Sequence, residues 1–97
     1  MIHSTNKVID IKEHRTCMRL TPCEWKAIDT ICQKENLKRK KLFELIDSNK
    51  DPKLGLTSSI RLFTLIYYIN SVIKTTNPSL SKQLGNPIFE AIRAISA

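Results

Sequence analysis

A chain of 97 residues, 41% hydrophobic and 26% charged, is sized for one domain of ordinary globular composition. Its formal net charge of +7 favours a polyanionic partner. The longest apolar stretch, Leu62–Ile69, falls well short of the ~20 residues that span a bilayer, and no Ser/His/Asp set, glycine-rich phosphate loop or metal-spaced cluster invites an enzyme or a cofactor.

Residues 1–13 are polar around one apolar island, Val8-Ile9-Asp10-Ile11, which reads as a short strand or as an arm that orders only on binding. Met1–Lys7 lacks the basic-then-apolar order of a secretion signal, so a cytoplasmic location is expected. From His14 to Leu20 the residues alternate as in a strand: Thr16, Met18 and Leu20 on one face, Arg15, Cys17 and Arg19 on the other. Thr21-Pro22-Cys23-Glu24 is a helix start, with a capping threonine, proline at the first helical position and the glutamate of a capping box. Trp25, Ile28, Ile31 and Cys32 form the apolar stripe of that helix. It should end near Glu35-Asn36, with Asn36 suited to a left-handed C-cap.

Residues 38–47 predict a second short helix with Leu42, Phe43, Leu45 and Ile46 inward and Lys38-Arg39-Lys40-Lys41 in its first turn. After a break that runs to Gly55, Thr57 is placed to cap a third helix over 58–74. That helix is apolar nearly all round, so it must be buried nearly all round, which predicts a subunit contact. After Thr75-Thr76-Asn77-Pro78, Asn86 and Pro87 open a last helix with the stripe Ile88, Ala91, Ile92 and Ile95. The expected division is an N-terminal arm over 1–13, a main domain over 14–74 and a C-terminal helical extension over 75–97.

A strand needs a neighbour for its N–H and C=O groups. Val8–Ile11 is one candidate, but Lys12-Glu13 between the two segments lacks the Gly, Asn or Asp of a tight hairpin turn. The favoured expectation is therefore one short strand per chain, paired antiparallel with its copy across a twofold axis. Cys17, Cys23 and Cys32 are odd in number. Together with His14 they make the one set that could be gathered on a metal, but their spacing departs from zinc patterns. The spacing favours three reduced thiols and no metal.

His14-Arg15-Thr16, the junction Leu20-Thr21-Pro22-Cys23-Glu24-Trp25, Leu42-Phe43-Glu44-Leu45-Ile46-Asp47, the run Leu56–Phe63 and Tyr67-Tyr68 follow one another in a familiar order. Over residues 14–70 the chain resembles the ribbon-helix-helix family of the Arc/MetJ kind, and more closely a bacterial subclass with a third helix. The resemblance implies a mainly α fold, a homodimer, and a DNA-binding regulator, usually a repressor. It also implies that alternate strand residues, here Arg15, Cys17 and Arg19, read bases. The family commonly has glycine where Asn36 stands, and Ser or Thr where Lys38 stands, at the helix start that holds a DNA phosphate. Here Lys38, Arg39, Lys40 and Lys41 are the expected phosphate anchors.

The expected partners are thus double-stranded DNA and a second copy of the chain. Higher oligomers through the C-terminal helices stay open, and no membrane is expected. The alternative function is a protein-interaction module, such as an antitoxin whose C-terminal helices bind a protein partner.

Overall fold

The structure is a computed structural model that describes residues 5–12, 14–76 and 86–96. Among the described residues two strands, β1 (Thr5–Ile11) and β2 (His14–Leu20), precede four helices: α1 (Pro22–Glu35), α2 (Arg39–Asn49), α3 (Leu56–Thr76) and α4 (Pro87–Ile95). The mainly helical, strand-first order with extra C-terminal helices is as expected.

The main difference lies in the strands. The chain supplies two rather than one, and β1 pairs antiparallel with β2 from Thr5↔Leu20 to Ile11↔His14. Residues 5–11 are therefore part of the sheet rather than an arm outside it. The turn lacks glycine, yet Lys12 takes a left-handed conformation, φ 47°. Helix α2 holds it there. The Lys12 N–H donates to Glu44 Oε2 at 3.4 Å, and Lys12 Nζ lies 3.7 Å from Asp47. A left-handed residue with a Cβ costs roughly 1–2 kcal/mol, and here burial of Ile9 and Ile11 against the helices offsets it.

Because paired residues share a face, the register sorts the hairpin into two sides. Ile9, Ile11, Met18 and Leu20 are buried against the helices. Asn6, Val8 and Asp10 lie opposite Arg19, Cys17 and Arg15, all on the outer side and all exposed.

Thr21 and Glu24 make the reciprocal capping box: Thr21 Oγ1 accepts from the Glu24 N–H at 3.2 Å, and Glu24 Oε1 accepts from the Thr21 N–H at 2.8 Å. Helix α1 buries Trp25, Ile28, Ile31 and Cys32 and ends at Asn36, φ 55° and ψ 46°. Helix α3 begins at Leu56, two residues before the expected start. Thr57 thus lies within its first turn, and the Gly55 carbonyl accepts from both the N–H and the hydroxyl of the fully buried Ser59. Two phenols tie α3 to α1: Tyr67 donates to Glu35 Oε2 at 2.7 Å and Tyr68 to the Ala27 carbonyl at 3.2 Å. Burial, followed by the Glu35 bond, pushes the Tyr67 phenol far above its ordinary value. Asn86 caps α4, which buries Ile88, Ala91, Ile92 and Ile95 in the same core as the other helices.

The window Leu56–Ile73 is long and apolar enough, at a mean hydropathy of 1.2, to meet the length of a bilayer span. In this fold α3 instead packs against α1, α2, α4 and β2, with Ile60, Phe63 and Tyr67 buried. Its other side is exposed: Leu65 is 58% exposed, Ile69 48% and Val72 61%.

Candidate nucleic-acid interface

The outer face of the hairpin is a small, flat display of polar side chains. Arg15 reaches across to Asp10, its Nε 3.3 Å from Oδ1. Arg19 reaches across to Asn6, its Nε 3.0 Å from Oδ1. Cys17 lies between the arginines and opposite Val8, which is 64% exposed. The expected trio Arg15, Cys17 and Arg19 thus shares one solvent-facing surface. The β1 residues beside it escape a reading that pairs β2 only with its own copy. Their signal is the alternation Asn6-Lys7-Val8-Ile9-Asp10-Ile11, which places Ile9 and Ile11 inward and the polar pair Asn6 and Asp10 outward.

One edge of β2 is taken by β1. In an antiparallel pair every second residue turns its N–H and C=O away from the neighbouring strand. Arg19 is one of these, since its carbonyl accepts from Arg61 Nη2 on α3 at 3.4 Å. Arg15 and Cys17 share its parity, so their backbone groups point to the same edge, where the described residues add no further strand. Arg61 is itself held by Glu24, Nε to Oε2 at 2.7 Å. Burial alone would raise the Glu24 carboxyl, but the Thr21 N–H and Arg61 outweigh it and hold the group below its ordinary value. Beside this edge a hollow of about 260 Å3 is lined by Leu20, Ile28, Ile60 and Leu65, and the uncovered side of α3 continues from it.

On the β1 side lies the start of α2. Its N-cap, Lys38, makes no side-chain cap, which leaves the N–H groups of the first turn without a side-chain acceptor. A groove lined by Val8, Asp10, Arg39, Lys40 and Phe43 joins this helix start to the hairpin. The four cations are not equivalent. Lys38, Lys40 and Lys41 are exposed. Arg39 is engaged within the chain, with Nη2 2.6 Å from Asp29 Oδ1 and its guanidinium carbon 5.0 Å from the centre of the Trp25 ring. Lys7 Nζ lies 5.5 Å from the same ring.

The cysteines are all free. Cys17 and Cys23 are exposed and Cys32 is buried. Burial, helped by Asp29, raises the Cys32 thiol above its ordinary value, so it is the least reactive of the three in character.

A family model, the ribbon-helix-helix domain, matches residues 4–68. The chain belongs to the ribbon-helix-helix family. The match takes in β1 as well as β2, so the hairpin and the first three helices fall within the family domain down to Tyr68. No curated protein and no solved structure matches the chain. Ribbon-helix-helix domains are a non-enzymatic DNA-binding fold of regulators, typically acting as dimers.

Proposed function

We propose that this ribbon-helix-helix protein is a sequence-specific transcriptional repressor that places paired β2 strands of a homodimer in the major groove. One observation carries the reading: Arg15, Cys17 and Arg19 share the exposed face of the strand whose backbone groups line an open edge. A second copy pairing antiparallel on that edge satisfies those groups and brings its own α3 to the uncovered Leu65, Ile69 and Val72. The central ribbon then carries four arginines. A two-stranded ribbon fits the major groove, and an arginine fork binds guanine O6 and N7. Lys38, Lys40 and Lys41, with Arg39 to a lesser extent, anchor the phosphate backbone next to the free N–H groups of α2. Three free thiols suit a reducing cytoplasm.

The alternative, in which the C-terminal helices hold a protein partner, has less support. The apolar stripe of α4 is already buried in its own chain, and on that helix Phe89 alone, 60% exposed, is a large apolar side chain left outside.

Selection of bound sequences from a random DNA pool tests the reading. Wild type should yield a preferred, twofold-symmetric site. Arg15→Ala or Arg19→Ala should each lose about 1–3 kcal/mol of discrimination at one position per half-site, with the dimer intact. A pool with no preferred sequence, or variants that select the wild-type site unchanged, would contradict it.

A further inference from the structure

We infer that Asp10 and Asn6 are specificity-determining positioning residues, which hold the Arg15 and Arg19 guanidinium groups in the orientation that reads guanine. This rests on the reading of the two arginines as base readers and goes beyond it by giving β1 a function.

The two arginines sit in the same way. Each is directly opposite its partner in the register, Arg15 opposite Asp10 and Arg19 opposite Asn6. Each meets a side-chain carbonyl or carboxylate oxygen on β1, and each does so through Nε, at 3.3 and 3.0 Å. Among the described residues no other hydrogen bond engages either guanidinium, so Nη1 and Nη2 of both remain at the outer end of the side chain. Those two nitrogens are the fork that meets O6 and N7 of a guanine end-on.

Stability does not account for the pairs. The Arg15 side chain is 77% exposed and that of Asp10 57%, and an exposed pair of this kind adds little to a fold. An arginine side chain free in water samples many rotamers, and freezing them on binding weakens the contact. A partner that fixes Nε in the free protein reduces that cost for the correct base. It also keeps the fork from bending towards a neighbouring base or a phosphate.

The chemistry of the two partners differs, which provides the control. Asp10 brings a charge and Asn6 does not, yet both present an oxygen. If the oxygen matters, Asp10→Asn keeps the preference and Asp10→Ala loses it. If the charge matters by repelling phosphates, both substitutions act alike.

The experiment measures base preference at every site position for wild type, Asp10→Ala, Asp10→Asn, Asn6→Ala, Arg15→Ala and Arg19→Ala, each verified as a folded dimer. Asp10→Ala should lower the preference for guanine at the position that Arg15→Ala abolishes, by at least about fivefold. Asn6→Ala should do the same at the Arg19 position, and Asp10→Asn should stay near wild type. Two results would overturn the inference alone: alanine variants that keep the wild-type preference while the arginine variants lose it, or an equal rise in affinity for all sequences in both Asp10 variants. If Arg15→Ala and Arg19→Ala alter no position, the base-reading assignment fails and the inference falls with it.

Discussion

Glu24 shows how much a single side chain can carry in a small protein. It closes the capping box of α1 with one oxygen and holds Arg61 with the other. Glu24→Ala should cost about 1 kcal/mol through the lost cap and free Arg61 from its place beside the β2 edge. Its carboxyl is held below the ordinary value of 4.5, so the stability it contributes is fully present above about pH 4.5. That contribution is lost as the pH falls through the lower folded value. Thermal melts across pH 3–6 should show a steeper acid loss for wild type than for Glu24→Gln. A deeper substitution tests the core: Leu20 is fully buried, and Leu20→Ala should cost about 2–5 kcal/mol by calorimetry or urea titration. The thiol on the outer face of the hairpin behaves differently, since Cys17 is exposed and a weak donor. Cys17→Ser should leave both fold and site preference nearly unchanged.

Among the elements, the helices were legible and the hairpin was not. Thr21, Pro22 and Glu24 announce α1, Asn36 its end, and Asn86 with Pro87 the start of α4, because caps are local chemistry. The apolar stripes of α1 and α4 are buried residue for residue as their spacing implies. The hairpin turn depends on Glu44 and Asp47 from a helix more than thirty residues away, and no local pattern reveals that. Lys12→Asn suits a left-handed position better than lysine. It should leave the melting temperature equal or higher even without the ion pair to Asp47, which a thermal melt checks. That Arg15, Cys17 and Arg19 share a face was legible from strand alternation alone, whereas the pairing of Asp10 with Arg15 and of Asn6 with Arg19 needed the register. The start of α2 was legible as a cationic cluster but not in its division of roles. Lys38, Lys40 and Lys41 changed to glutamine should weaken binding to specific and random DNA alike. They should also reduce the slope of log K against log salt by about one unit for each phosphate no longer neutralised. Arg39→Gln should instead destabilise the free protein, because Arg39 is held by Asp29 and Trp25. An unchanged salt slope in the triple lysine variant would move the phosphate anchor elsewhere.

For the whole molecule, the open edge of β2 and the uncovered side of α3 lie together, and one partner can satisfy both. The excess of apolar residues on α3 was visible in the sequence, but which of them stay uncovered depends on how α4 folds back against the helix. Leu65→Glu with Ile69→Glu places two charges on that surface without touching the chain's own core. Sedimentation at low micromolar concentration should show a dimer for wild type and a monomer for this variant, with DNA affinity lost in parallel. The central claim, that the outer face of paired β2 strands meets DNA, is tested most directly through Cys17. In a Cys23→Ser, Cys32→Ala background the chain has a single thiol, in the middle of that face. Its rate of alkylation by a maleimide is measured in the dimer, with and without a saturating duplex of the selected site. The rate should fall to the level set by the fraction of unbound protein. Alkylation at the same rate on bound and free protein would place DNA elsewhere and contradict the account.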